Sequence, residues 1–234
     1  WEYRYALMRA HTGEHLLFHS LSKRTELELV KISLSRERKV LIVKGHLDWD
    51  LVKDAVLEVN AIIAEGAAVR CQQVARGDMK EDGPRAKLDR ISGDMVRVVS
   101  IGDHDSAACA GVHLGDAKEI GMLLVSKFTS AKPAGDWEIE FLVGPDAVSL
   151  AVDHTVRSLM LAERMGSLPR DSLTAFDNRE RELVRAREAL RTYGKLALSS
   201  LQPRQVGEWK LFSGSFSGLD RKLVMEKASE MVAS

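Results

Sequence analysis

Between Gly144 and Pro145 the sequence changes character, and that change sets the architecture. Ahead of it, strand-like and helix-like segments alternate. LELVKISLS and KVLIVKG are β-branched runs separated by the charged SRER, which predicts a hairpin. WDLVKDAVLEVNAIIAEG carries apolar residues at period 3.6, with Leu51, Ala55, Val59 and Ile62 or Ile63 inward and Gly66 as a stop, which predicts a helix. HTGEHLLFHSL has helical spacing too, with Leu16, Leu17 and Leu21 on one side. AAVRCQQVA, MVRVVSIG, IGMLLVSKFTS and DWEIEFLVG supply further strands, and the polar GDMKEDGPRAKLDRISGD between the first two reads as a surface loop. The expected fold class is α+β, an antiparallel sheet with helices packed on it, filling 1–144. Behind Pro145 the strand signals vanish. DAVSLAVDHTVRSLMLAERMG and DSLTAFDNRERELVRAREALRTYG, parted by SLPR, predict an antiparallel helical hairpin over 145–205. LFSGSFSGLDRKLVMEKASEMV then reads as a strand, a loop and a helix, the start of a C-terminal α/β segment over 206–234.

Charge and apolar runs exclude several classes. Lys plus Arg and Asp plus Glu both number 34, so no basic excess marks a dedicated polyanion binder. No apolar run approaches the ~20 residues that span a bilayer, and WEYRYALMRA lacks the apolar core of a signal peptide. The expected location is the cytoplasm, where Cys71 and Cys109 stay reduced. Cys71, in a strand pattern, reads as a buried small hydrophobe. The start at Trp1 fits a fragment.

The chemistry sits in histidines and one cysteine. His11 and His15 are one helical turn apart, so both imidazoles can face one metal ion; His15 and His19 satisfy the same spacing. All three cannot, because a rise of ~1.5 Å per residue puts His11 and His19 about 12 Å apart. Cys109-Ala-Gly-Val-His113 offers a thiolate and an imidazole at CxxxH spacing, and the two motifs together make a CysHis3 set suited to zinc. His104 is a competing ligand or an ordinary loop histidine; His46 and His154 lack ligand-like neighbours. Asp103 and Asp105 either orient a water or are solvated loop carboxylates. Thr12 either bonds the substrate or caps the helix.

HTGEHLL, followed about a hundred residues later by VRVVSIGDHDSAACAGVHLGDAKEIG, resembles the editing domain of alanyl-tRNA synthetase and its free-standing relatives, the AlaX trans-editing proteins. Asn60, within EVNAII, and the arginine–valine strand before an IG turn fit the same pattern, and the resemblance covers about residues 8 to 144. It implies zinc held by His11, His15, Cys109 and His113, leaving His19 as a neighbour. The rear is similar to the helical segment and the opening of the DHHA1 domain of long AlaX proteins and of the synthetases, which implies tRNA contact and a homodimer through the C-terminal region. Three positions depart from the pattern. Ala110 stands where the family has the first glycine of CGGTH, Val112 where it has threonine, and Ala107 where the synthetases often have an acidic residue. The glycine-rich β-barrel that precedes the helix in AlaX proteins is not seen ahead of Trp1.

The implied reaction is hydrolysis of the ester joining serine or glycine to alanine tRNA, by a zinc-dependent aminoacyl-tRNA deacylase. Asp103, Asp105 and Thr12 are its candidate catalytic residues. Zinc would hold the substrate amino or hydroxyl group, or polarise and deprotonate a water, and either role needs a coordination position free of protein. Lys80, Arg85, Lys87 and Arg90 in the long loop, with Arg185, Arg187 and Arg191 on the hairpin, are candidates for tRNA phosphate contacts. Two other readings stay open: a non-catalytic zinc-stabilised tRNA-binding or dimerisation module, and an editing domain of the threonyl-tRNA synthetase branch.

Overall fold

A computed structural model describes residues 1–79, 83–86, 93–132 and 135–233. It divides into two compact units, Trp1–Thr155 and Val156–Ser234. The first is α+β. Helix α1 (Glu2–Ser22) is followed by the hairpin β1 (Leu27–Leu34) and β2 (Lys39–Gly45), then α2 (Trp49–Glu65) and β3 (Val69–Ala75). Strands β4 (Met95–Ile101), β5 (Asp105–Ala108), β6 (Leu123–Ser130) and β7 (Asp136–Val143) complete it, and α3 (Pro145–Met165) carries the chain into the second unit.

The strands form two antiparallel sheets, not one. The order is β1-β2-β7-β6 in the larger and β3-β4-β5 in the smaller. In the larger sheet β7 alternates as a half-buried strand must. Ile139, Phe141 and Val143 face inward, while Glu138 and Glu140 face solvent and pair with Arg38 and Lys127. Helices α1 and α2 cover the inward face. Leu16, Leu17 and Leu21 of α1 meet Val52, Ala55, Val59 and Ile63 of α2 and Leu41, Val43, Ile139 and Phe141 of the sheet in one core. Close approach is possible because Gly13 has no side chain; a Cβ there would lie 3.1 Å from Val143 and 3.2 Å from Leu123.

Local signals set α2. Asp48 caps its start by accepting a hydrogen bond from the Leu51 backbone N–H, and Gly66, at φ 84°, ends it with its own N–H on the Ile62 carbonyl. Asn60 ties this helix to the sheet. Its side-chain oxygen accepts from the Leu123 N–H at 3.0 Å and its amide donates to the Leu123 carbonyl at 2.8 Å, closing the start of β6 as another strand would. Asn60→Ala strands both groups of Leu123, and a loss of about 1–3 kcal/mol is expected. Chemical denaturation measures it; an unchanged midpoint would show that water replaces the amide.

The second unit contains the end of α3, helix α4 (Ser172–Ser199), the small hairpin β8 (Arg204–Val206) and β9 (Trp209–Leu211), and α5 (Arg221–Ala233). A short turn, Pro169–Asp171, joins α3 to α4. Gly194 lets Leu219 and Leu223 pack onto α4; a Cβ there would meet them at 2.7 and 3.1 Å. The sequence reading placed one strand from Leu211 onward, whereas the pairing lies earlier, Arg204 to Leu211, around Gly207 at φ 61°.

Candidate metal centre

Helix α1 begins at Glu2, well before the motif, so His11 and His15 lie mid-helix on one face. The loop after β5 brings Cys109 and His113 against that face. One ligand atom from each of His11, His15, Cys109 and His113 lies within 4.8 Å of all the others. Cys109 Sγ is 3.4 Å from Nε2 of His11 and 3.4 Å from Nε2 of His113. Tetrahedral zinc with N and S donors spaces its ligand atoms about 3.3–3.8 Å apart; the two 3.4 Å contacts match this, and the spread of up to 4.8 Å across the set makes it compatible with a metal ion once the donors close in.

The outer nitrogens explain why the inner ones are available. Nδ1 of His15 lies 2.8 Å from Asp105 Oδ2, Nδ1 of His11 3.3 Å from the Val112 carbonyl, and Nδ1 of His113 3.3 Å from Thr12 Oγ1. Each partner can accept the Nδ1 proton, which leaves the Nε2 lone pairs free to point at one centre. Thr12 is mid-helix and fully buried, so it is no helix cap. Its hydroxyl oxygen also accepts the Leu114 N–H at 3.2 Å, which fixes the loop beyond His113 to α1.

Electrostatics prepare Cys109 and His113 as ligands, while His15 must give up a proton to a metal. Burial pushes the Cys109 thiol pKa up, but hydrogen bonds with His11, His113 and His15 outweigh it and bring the value to about 3. The thiolate is the form that binds metals. Burial lowers the pKa of His15, yet Asp105 and Cys109 raise it to about 9. His113 is lowered, mainly by burial. Asp105 is buried, which raises its pKa; the hydrogen bond from His15 and the charge of Arg85 more than offset this and hold it below its ordinary value.

Asp105 is therefore no solvated loop carboxylate. It lies on β5 at 4% exposure, with Oδ2 on His15 and Oδ1 receiving Arg85 Nη2 at 2.7 Å and Nε at 3.1 Å. Arg85 is held in turn: its backbone pairs with Ser106 and Ala108 of β5, and its guanidinium lies 4.7 Å over the Phe18 ring. It serves Asp105, where the sequence had suggested a phosphate contact. Lys80, Lys87 and Arg90 lie outside the described residues. Asp103 is exposed in the turn between β4 and β5, and the structure does not bring it to the cluster. His19 stays outside the four, 3.7 Å from Asp105, and His104 is not among them either.

Two supports of the site escaped residue-by-residue reading. Arg97 of β4 donates to the carbonyls of Cys109 and Gly111, both at 2.7 Å, and clamps the loop. Its other nitrogen reaches Cys71 Sγ at 3.0 Å; Cys71 is exposed, not a buried hydrophobe, on the edge strand β3, where residues 70–73 are all exposed. Gly111 packs beneath His11, where a Cβ would lie 2.1 Å from the ring. The second glycine of the family loop is thus the one this geometry requires. The positions occupied by Ala110 and Val112 are exposed, and Val112 contributes its carbonyl, which any residue supplies.

The fold and the cluster define a domain of the kind appended to tRNA synthetases. Residues 96–132 match the family described as the threonyl and alanyl tRNA synthetase second additional domain. Among curated proteins the chain is 31% identical to the alanyl-tRNA editing protein AlaX-L of Pyrococcus horikoshii over 219 residues, covering 90% of this chain and 50% of that one. It is 28% identical over 211 residues to the alanine tRNA ligase of a Nocardioides species, covering 84% of this chain and 23% of the ligase. For the ligase of Bacillus cytotoxicus the identity is 29% over 178 residues, covering 74% and 20%. The chain is a relative of alanyl-tRNA editing proteins and alanine tRNA ligases over most of its length, and it spans about half of the first and a quarter or less of the second. Among the described residues no helix is long and apolar enough to cross a membrane.

Proposed function

We propose that the chain is a zinc-dependent aminoacyl-tRNA deacylase that hydrolyses serine or glycine esters of alanine tRNA. The convergence of His11, His15, Cys109 and His113, with three imidazoles turned Nε2 inward, carries this reading. The named activity of the AlaX-L relative supports its direction. In this reading 1–144 is the editing domain, 145–205 a helical hairpin and 206–234 the start of a DHHA1-like domain. The cytoplasm is the place of action, and the C-terminal region provides a homodimer contact.

Zinc bound to these four residues would supply an electrophile for the substrate amino or hydroxyl group or for a water. The rest falls to the chain. Asp105 and Arg85 hold His15 in place, so the donor proposed to yield a position is His113 or His11, whose outer nitrogens have contacts of 3.3 Å against 2.8 Å for His15. An aminoacyl ester is already activated, so placing it against a water does most of what is needed. Arg185, Arg187 and Arg191 lie exposed on α4 and are the described cations proposed to meet tRNA phosphates. The completeness of the four-donor set supports a second reading, a zinc-stabilised tRNA-binding or dimerisation module without catalysis, because four protein ligands close a structural site.

Deacylation of serine-, glycine- and alanine-charged alanine tRNA by the zinc-loaded chain separates the two. Release of serine or glycine with alanine spared, abolished by a chelator and restored by zinc, is the expected result. Stoichiometric zinc and tRNA binding without hydrolysis of any ester would establish the binding module instead.

A further inference from the structure

Arg9, Arg36 and Lys39 line one cleft of the first unit, about 860 Å³ in volume. Among the described residues none of the three has a carboxylate partner, whereas neighbouring cations are committed. Arg38 and Lys127 hold Glu138 and Glu140, Lys23 and Arg24 hold Glu58, and Arg85 holds Asp105. Lys39 is the informative member. It opens β2, is 5% exposed, and its ammonium donates to a single described acceptor, the Arg36 carbonyl at 3.1 Å. A lysine is almost never so buried unless an anion pairs with it, because an ammonium out of water is unfavourable. An ammonium has three donors, so two remain for a ligand.

The surroundings say which anion suits the cleft. Arg9 Nε donates to the Glu119 carbonyl at 2.8 Å and its guanidinium lies 4.6 Å over the Tyr5 ring, which fixes the group and leaves both Nη atoms without a described acceptor. Arg36 is exposed, and its side chain makes no described hydrogen bond. Helix α3 starts on the same cleft, with Pro145 and Asp146 in its wall, so the positive end of the helix adds to the three charges. Two carboxyls share the lining, Asp146 in the first turn of α3 and Glu2 in the first turn of α1. Both lie where acids complement a helix dipole, and neither pairs with the three cations. Trp1 and Tyr3, 85% and 55% exposed, stand at the rim. Cations in a groove with exposed aromatic rings beside them suit single-stranded nucleic acid, whose phosphates take the charges and whose bases stack on the rings.

We propose that this cleft is a second tRNA contact, seating a backbone phosphate of an unpaired nucleotide on Lys39, Arg36 and Arg9. The inference rests on the tRNA reading of the chain and not on catalysis. None of His11, His15, Cys109 and His113 lines the cleft. Arg9 precedes His11 by two residues, a turn of about 200° around α1, so the two side chains leave opposite sides of the helix. The contact therefore holds the RNA without touching the metal donors.

The test measures binding of uncharged alanine tRNA to the full chain by fluorescence anisotropy over a salt series, for Arg36→Gln, Lys39→Met and Arg38→Gln. Arg36→Gln and Lys39→Met should each weaken binding about tenfold or more and lower the slope of log affinity against log salt by about 1. Arg38→Gln removes the same charge two positions from Arg36, but from a cation already held by Glu138 and Glu140, and should change affinity by less than about twofold. Lys39→Met should melt at an unchanged or higher temperature, since an apolar side chain replaces a buried charge without a counter-ion. A lower melting temperature with tRNA affinity intact would make Lys39 structural and overturn its role. If Lys39→Met does not fold, Arg36→Gln, at an exposed position, decides. Affinity within about twofold of the unaltered chain in Arg36→Gln overturns the proposal, and so does an equal loss in Arg38→Gln, which would reveal only the general field of the surface. Inorganic phosphate and adenosine monophosphate are titrated in parallel. Binding of either through Lys39 and Arg36, with tRNA affinity indifferent to both substitutions, would assign the cleft to a free phosphate ligand and overturn the tRNA contact. If the unaltered chain binds no tRNA, the tRNA reading itself fails, and that is visible before any variant is made.

Discussion

Cys109→Ala is expected to abolish stoichiometric zinc binding and to lower the deacylation rate by at least about 10³, because it removes the one thiolate of a four-donor set. The argument starts from the other three donors. Their Nε2 atoms face inward around Sγ, with 3.4 Å contacts from His11 and His113. Without the thiolate the three imidazoles face a gap, and His15 loses one of the partners that raise its pKa to about 9, keeping Asp105. The sulfur also anchors its own loop, accepting the Gly111 N–H at 3.4 Å, so the loop loses both its metal and an internal contact. Part of the loss should appear as stability, since zinc binding energy is available to folding wherever the site forms only in the folded chain. Metal analysis after dialysis, thermal melting with and without zinc, and single-turnover deacylation check the three effects. Cys71→Ser is the control: Cys71 is exposed and outside the cluster, and serine still accepts from Arg97. Equal zinc content in Cys109→Ala and the unaltered chain would remove Cys109 from the ligand set.

The parts of this molecule written in short-range patterns could be read from the sequence. Helix α2 carried its periodic apolar face and its Gly66 stop within one segment, while its Asp48 cap, just ahead of that segment, was not read. The two ligand pairs were legible for the same reason, because i, i+4 spacing fixes geometry within one turn. Strand β5 was not legible: Asp-Ser-Ala-Ala has no β-branched residue, and what makes it a strand is pairing with β4, Ile101 opposite Asp105 and Val98 opposite Ala108. The first nine residues of α1 were missed because their burial is partial and their polar residues answer to distant partners, Tyr5 to Glu119 and Arg9 to the Glu119 carbonyl. The separation into two sheets depends on strand order, which no single segment carries. Nor could spacing reveal that Asp105 belongs to His15, ninety positions away, or that Arg97 clamps the Cys109 loop. These bonds exist only once the chain has folded.

Asp105→Asn tests the deepest of them. The Asp105 side chain is 1% exposed and His15 6%, while Arg85 is 34% exposed. Removing the charge leaves a buried imidazole and a guanidinium without their shared anion, and breaking a buried pair costs 3–5 kcal/mol in general. Solvent reaching Arg85 reduces its share, so a loss of about 3 kcal/mol at neutral pH is expected. The sign of the pH dependence follows from the depressed pKa of Asp105. Its stabilising contribution is full above the ordinary carboxylate value of about 4 and is lost as pH falls through the lower folded value. The gap between the unaltered chain and Asp105→Asn should therefore close in acid and stay open from pH 5 to 7. Zinc affinity should fall about 10–100-fold, as it does when the partner of a metal-bound histidine is removed. Asn can still accept the His15 Nδ1 proton but cannot carry the charge. If zinc affinity holds while stability falls, the carboxylate serves the fold through Arg85 and β5; if both fall together, orienting His15 is what the buried charge is for.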